Sequence, residues 1–421
     1  MGKQLRVGAQ SEIGSLEGVI LHTPGSEVEN MTPKNVERAL YSDILNLAVV
    51  KPEYDQLRGI LDKTTRTFYI RDLLTDILQN HGVKETLVRN ICRRESVDDL
   101  TESLLGLPAN ELARQLIEGV VLVKDSLTKY LSKEYYALRP LHNFFFTRDA
   151  AVALPGWVLI GRMANQVRER ESMIVEAIFD FHPELKAKTV SPHGLMVDNL
   201  QTLKLEGGDV LVAREDVLLV GIGTRTTPEG VDFIINRLKK EKQAKHIIVQ
   251  ELPSSPESFI HLDMVFTFLD VDKCMVYAPI VLKPNRFQTV HISLDNGKVS
   301  AIRTVANIME VLASLGFDLE PVYCGGKADT WFQEREQWHS GANFFALGPG
   351  QVIGYSRNVH TLEEMNRHGF EIIEAEAVIK GRVNLSDYEK FVVTIHGAEL
   401  SRGGGGCRCM TLPIARQPVN W

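Results

Sequence analysis

Short apolar runs closed by tight turns dominate this chain, and one long amphipathic stretch interrupts them. The run Gly18-Val19-Ile20-Leu21-His22 stops at Pro24-Gly25 and predicts a strand. Between 56 and 133 Leu, Arg, Glu and Lys abound, strand formers are few and Pro108 is the one proline. About three to five helices packed on one another are expected there, an all-helical insertion. Ser96 with Asp99, and Asn110 after Pro108, supply start signals for such helices. From 141 the rhythm turns regular. Residues 150–154 and 157–161 flank Pro155-Gly156 as a hairpin, and 168–181 reads as a helix. Residues 209–212 and 217–221 form a second hairpin, followed by a helix that Thr227-Pro228 opens and that runs to 240. A third hairpin covers 264–268 and 274–277, and a fourth covers 343–346 and 352–355 around Pro349-Gly350. The helix after the fourth carries the capping box Thr361-x-x-Glu364 and stops at Gly369. Recurrent strand–turn–strand–helix units point to a repeat architecture rather than a doubly wound parallel sheet.

The repeat also positions the polar residues. Phe146-Thr147-Arg148-Asp149 stands before the first hairpin, Glu206-Gly207-Gly208-Asp209 opens the second and His261-Leu262-Asp263 opens the third. In a radial arrangement of units, Asp149, Glu206, His261 and Asp263 converge on one axis. The strand-like run 391–395 would deliver the tail Ser401-Arg402-Gly403-Gly404-Gly405-Gly406-Cys407-Arg408-Cys409-Met410 to the same place. Four glycines allow close approach to a ligand, and Cys409 beside Arg408 is a candidate nucleophile. Cys407 would point away from it in an extended segment. Cys92, Cys274 and Cys324 stand in apolar or helical settings, as inert cysteines do.

A thiol, an imidazole and several carboxylates suggest nucleophilic catalysis with His261 as general acid and base. The carboxylates select the substrate class, because a planar guanidinium offers five donors that carboxylates accept in pairs. They also predict that Cys409 is a thiol in the empty site and becomes a thiolate when a cation arrives. A peptide-cleaving Cys/His enzyme would instead want an oxyanion hole and few carboxylates. Each residue also has a plain structural role open to it: Asp149 as a surface partner of Arg148, Asp209 as a turn residue, His261 as a satisfied core histidine.

Composition narrows the class without naming a reaction. At 421 residues, with 44% hydrophobic and 24% charged positions, the chain is a globular protein of about two or three units. A net charge of −7 and a pI near 6.0 exclude a nucleic-acid footprint. No apolar run reaches membrane-spanning length, the N-terminus lacks a signal-peptide core, and Arg6 occupies the position where a myristoylation signal needs Ser or Thr. Five cysteines, an odd number, argue for a reducing, cytoplasmic setting. Cys407-x-Cys409 has no second pair at zinc spacing, so no metal is expected.

The sequence resembles the arginine deiminase family of guanidine-modifying enzymes. The resemblance is carried by Ser11-Glu12-Ile13-Gly14, Leu21-His22-x-Pro24-Gly25, Asn143-x-x-Phe146-Thr147-Arg148-Asp149, Arg168-x-Arg170-Glu171 and Glu206-Gly207-Gly208-Asp209. It continues through Arg225-Thr226-Thr227, His261-Leu262-Asp263, Arg335-Glu336-Gln337-Trp338, Gly341-Ala342-Asn343 and Arg408-Cys409-Met410. It implies an α/β fold, a five-bladed α/β propeller (pentein) of repeated ββαβ-type units over 1–55 and 134–421 with the all-helical domain 56–133 inserted. It implies hydrolysis of L-arginine to L-citrulline and ammonia through a covalent thiouronium on Cys409, with no cofactor. His261 would be the acid and base, Asp149 and Asp263 would hold the guanidinium, and Glu206 would contact it and orient His261. Asn143, Arg168 and Arg225 would hold the substrate carboxylate, with Gly403 also contacting substrate. The small molecule is the expected partner, with neither nucleic acid nor membrane, in a homo-oligomer (dimer or tetramer). Thr23, His142, the His339-Ser340 pair and Gly404 depart from the family pattern, Gly404 replacing a side chain that is often long. Other guanidino substrates such as methylarginine or agmatine, amidino transfer to an amine, and arginine binding without catalysis are the alternatives. Retention of both Arg168 and Arg225 argues against agmatine, which has no carboxylate.

Overall fold

The computed structural model describes residues 5–31, 43–193 and 202–421. The first apolar run forms the strand Leu16–Leu21, paired antiparallel with Leu412–Arg416 from the far end of the chain and parallel with Arg66–Tyr69. The four expected hairpins are all present. Ala151–Leu154 and Trp157–Ile160 pair from Ala151↔Ile160 to Leu154↔Trp157, with Gly156 at φ +82 in the turn. Each hairpin then gains a parallel partner, in keeping with the ββαβ-type unit that the resemblance implies. Thr189–Val190 joins the first, and Lys245–Glu251 joins Val210–Arg214 and Val217–Ile222. Glu320–Tyr323 joins Phe266–Phe268 and Lys273–Val276, while Phe391–Ile395 joins Phe345–Gly348 and Gln351–Tyr355. Among the described residues these make five mixed sheets of three to five strands, plus a two-stranded ribbon of Val120–Val121 and Tyr136–Leu138.

Helices Glu169–Phe181, Pro228–Leu238 and Val359–Arg367 connect strands as expected. The capping box is a misreading. The last helix starts earlier, after Asn358, and Thr361 lies inside it. Glu336, from another helix, accepts the amides of His360 and Thr361 at 2.8 and 2.7 Å and the Thr361 hydroxyl at 2.6 Å. A carboxylate from elsewhere in the chain therefore satisfies the helix N-terminus, and local sequence cannot reveal that.

The stretch 56–133 is helix-rich but not all-helical. It contains helices Ile70–Ile77, His81–Glu95, Thr101–Leu105, Ala109–Glu118 and Leu127–Leu131. It also contains Arg66–Tyr69, whose β-favouring Thr67, Phe68 and Tyr69 place it beside Leu16–Leu21, and Val120–Val121. The preceding helix begins before 56, at Leu47. Ser96, expected to open a helix, instead closes His81–Glu95 in the left-handed conformation. Apolar clusters fill the space between sheets and helices, and Arg148, Arg170 and Arg408 are among the largest fully buried side chains. Buried arginines are rare enough to mark the place where charge has been gathered. No helix among the described residues is long and apolar enough to cross a membrane.

Candidate active site

Equivalent turns supply the polar residues. A single 3₁₀ turn precedes the first strand of three successive hairpins: Thr147–Ala150 carries Asp149, Gly207–Asp209 follows Glu206, and Leu262–Met264 follows His261 and carries Asp263. Cys409 stands just before the strand Leu412–Arg416, and its carbonyl accepts the Arg148 amide at 3.1 Å. Gly208 is glycine for a local reason. A Cβ there would lie 2.5 Å from His261 Nδ1.

His261 Nε2 meets Glu206 Oε2 at 2.9 Å, and His261 Nδ1 lies 3.7 Å from Asp149 Oδ1 without a hydrogen bond of its own. Glu206 also accepts the Ala164 amide at 2.8 Å and lies 3.6 Å from Arg225. Cys409 Sγ is 3.8 Å from Asp263 Oδ2, and the other Asp263 oxygen is buried without a partner. All five residues proposed for the chemistry thus come together, and all are buried. Asp209 behaves as the turn residue of the plain reading, its Oδ1 accepting the Leu262 amide at 2.9 Å.

Burial alone would keep His261 neutral, but Asp149 first and Glu206 after it outweigh burial and raise its pKa to about 9. Burial also opposes charge on Glu206, yet Arg225, His261 and Arg168 hold it well below the usual carboxylate range. Burial, with the negative charges of Asp263 and Asp149, pushes the Cys409 thiol far up. The resting state at neutral pH is therefore a thiol beside an imidazolium. Alkylation of Cys409 by iodoacetamide is expected to be slow at pH 7 and still rising at pH 9. A plateau reached by neutrality would contradict this protonation state.

Three supporting residues had no role assigned from sequence. Arg408 donates to Asp263 Oδ2 at 2.8 Å and to both oxygens of Glu12 at 3.0 and 3.1 Å. Asn343 Oδ1 accepts the amides of Arg408 and Cys409 at 2.9 and 3.3 Å, and its Nδ2 donates to the Asp263 carbonyl at 3.1 Å. Glu12, Asn343 and Arg408 all lie in the recognised motifs, but their roles required knowing which chain ends meet.

A cavity of about 770 Å³ opens above the thiol, lined by Asn143, Asp149, Arg168, Arg225, His261, Cys409, residues 401–405 and an outer wall that includes Trp338 and His339. Arg168 is heavily engaged, donating to Asp149 at 2.6 Å, to Glu171 at 2.8 Å and to the Phe146 carbonyl at 3.2 Å. The Asn143 carbonyl also accepts from it, at 3.4 Å. Arg225 has the 3.6 Å contact to Glu206 and faces the cavity. Gly404 sits at φ +85 with open space where a Cβ would stand, so the glycine suits the backbone of the loop and leaves that part of the mouth unfilled.

Residues 37–416 match the family model described as arginine deiminase. The chain belongs to the arginine deiminase family. An arginine deiminase of Bacillus cereus is 30% identical over 429 residues, covering 97% of this chain and 98% of its own. One of Listeria welshimeri is 31% identical with the same coverage. Among solved structures, the substrate-bound N-terminal domain of ArgZ, a cyanobacterial arginine dihydrolase, covers 95% of this chain and 98% of its own at 14% identity and a TM-score of 0.54. This member of the arginine deiminase family thus shares the mixed α/β fold of the pentein proteins.

Proposed function

We propose that the protein hydrolyses free L-arginine to L-citrulline and ammonia. The observation that carries this reading is a buried thiol, His261 and the three carboxylates of Asp149, Glu206 and Asp263 gathered at the base of one cavity, a charge pattern that fits a guanidinium cation. The unpartnered oxygens of Asp149 and Asp263 are the natural acceptors for its N–H groups. The arriving cation offsets the carboxylates and lowers the thiol pKa, so Cys409 loses its proton to solvent. The thiolate adds to the guanidinium carbon, His261 gives its proton to the departing ammonia, and a cationic thiouronium remains. Neutral His261 then takes a proton from water as that water adds to the same carbon. Collapse expels the thiolate, leaves citrulline and releases a proton that converts ammonia to ammonium. Glu206 holds His261 for both transfers.

Arg225, Arg168, Asn143 and Gly403 form the proposed carboxylate end of the site. For Arg168 to bind a substrate carboxylate it must give up part of its contact with Asp149, which would free Asp149 for the guanidinium. The five sheets are read as blades of one α/β propeller over 1–55 and 134–421, with 56–133 as the inserted domain. Arginine, agmatine and methylarginine assayed in parallel for ureido product and ammonia test the reaction. Absence of citrulline from arginine with folded protein would refute it. A new guanidino product on adding glycine or ornithine would favour amidino transfer.

The proton on His261 also sets an alkaline limit. At limiting arginine, kcat/KM is expected to fall as pH rises through about 9, where His261 of the empty site loses the proton it must donate. Glu206→Gln removes one of the charges that raise this pKa, so the alkaline limb should move to lower pH in that variant. An unmoved limb in the pH–rate profile would assign it to another group.

A further inference from the structure

Glu53 is a buried carboxylate, 6% exposed, with no part in the chemistry above. It stands on the helix Leu47–Thr64, and its oxygens accept three consecutive amides from the segment that begins 345 residues later at Ala398. Oε1 accepts from Ala398 at 2.9 Å, Oε2 from Leu400 at 2.9 Å, and both approach the Glu399 amide, at 3.3 and 3.0 Å. The grip is returned. Glu399 Oε1 accepts the amide of Asn46, the residue that caps the same helix, at 2.7 Å. Arg357 supplies the opposite charge. Its Nη1 donates to the carbonyls of Gly397 and Ala398 at 2.9 and 3.2 Å and to the Ser401 hydroxyl. Its Nη2 donates to His339 Nε2 at 3.3 Å. Burial, Arg357 and Arg335 push the His339 pKa down to about 4, which leaves that nitrogen a neutral acceptor on the cavity wall.

A charge buried as deeply as that of Glu53 is tolerated only when it is paired or fully hydrogen-bonded. Here it is spent on the backbone of a segment that leads straight into 401–405, part of the cavity wall. Beyond that wall Tyr355 donates to the Gly405 carbonyl at 2.9 Å, and Asn343 holds the amides of Arg408 and Cys409. Among the described residues no side chain bonds the backbone of 402–404; Arg402 is tied through its own side chain, to Glu399 and Asp43. We propose that Glu53 and Arg357 are positioning residues for substrate capture, fixing 397–401 as a rigid base so that only 402–404 rearranges around the bound molecule. The effect on capture rests on the proposed arginine reaction; the clamp itself does not.

Hydrogen exchange at single-amide resolution, with steady-state kinetics on arginine, tests this. In the wild type the amides of 398–400 should be protected on the order of tenfold or more beyond those of 402–404. Glu53→Gln keeps the shape, but its NH2 group faces amides that the second carboxylate oxygen accepted. That variant should lose the extra protection at 398–400 and raise KM on the order of tenfold with kcat within about threefold, because Cys409 and His261 keep their own supports. Arg357→Lys keeps the charge but not the planar fork, and its KM should rise in the same direction. Wild-type KM in both variants would overturn the proposal. So would equal exchange at 398–400 and 402–404 in the wild type, which is readable whether or not a variant folds. Exchange raised evenly over the whole chain in Glu53→Gln would assign the residue to the fold alone and overturn it as well. A wild type that makes no citrulline would refute the arginine reaction, and the wild-type exchange comparison would still decide the clamp.

Discussion

Alanine at Cys409 is expected to abolish citrulline formation, with a loss on the order of 10⁴-fold or more and no change of fold. The size of the effect follows from the proposed reaction, which passes through a covalent bond to this sulfur, and among the described residues no other thiol lines the cavity. Cys407, two residues away and fully buried, has its own thiol pushed up by burial and does not line the cavity, so it cannot substitute. Truncating a small buried side chain at the edge of a cavity costs little stability. Arginine binding should therefore survive in the variant, because Asp149, Asp263, Glu206 and Arg225 are untouched. Calorimetry with arginine and a sensitive ureido assay on Cys409→Ala separate the two properties. Turnover within tenfold of wild type would remove Cys409 from the mechanism, and loss of both binding and turnover would point to collapse of the site.

The second large effect concerns Arg408 and reads out in stability. Its guanidinium is buried between Glu12 and Asp263, which hold three of its N–H donors, and a fourth contact runs to the Val210 carbonyl at 3.0 Å. Burial opposes ionisation of Glu12, but Arg408 first and Arg148 next pull its pKa down to about 2. Arg408→Met keeps most of the volume and leaves two carboxylates buried without their counter-charge. Breaking a buried pair in this way costs about 3–5 kcal/mol. Urea unfolding should show a midpoint shift of that size for Arg408→Met, with partial recovery in Arg408→Met/Glu12→Gln, where one stranded charge has been removed. Equal midpoints for wild type and Arg408→Met would mean that the network contributes nothing net. The carboxylates set the sign with pH. Glu12 has a depressed pKa, so its contribution is present above the ordinary carboxylate range and is lost as pH falls toward about 2.

Local pattern carried much of this protein. Alternating apolar runs around Pro155-Gly156 and Pro349-Gly350 predicted hairpins that form where expected, because turn chemistry and strand pairing across a tight turn are local. The recurrence of a polar cluster before successive hairpins was enough to propose that Asp149, Glu206, His261, Asp263 and Cys409 meet, and they do. Local pattern failed where a distant segment satisfied the backbone. Thr361-x-x-Glu364 has the form of a capping box, but Glu336 occupies that helix end. Arg66–Tyr69 was absorbed into a helical stretch because its pairing partner lies some 50 residues earlier.

The residue types at the site were determined by sequence alone: one thiol, one imidazole, carboxylates and arginines in an order that fixes which units supply them. The tertiary structure decided which partners each of them meets. A thiol next to Arg408 reads as activated when only that neighbour is counted. The carboxylates of the repeat predicted a protonated thiol instead, and the structure agrees, with burial, Asp263 and Asp149 pushing its pKa up while Arg408 is spent on Glu12 and Asp263. The physical reason is that pKa depends on desolvation and on charges within a few ångströms, and at Cys409 most of those charges come from residues more than a hundred positions away.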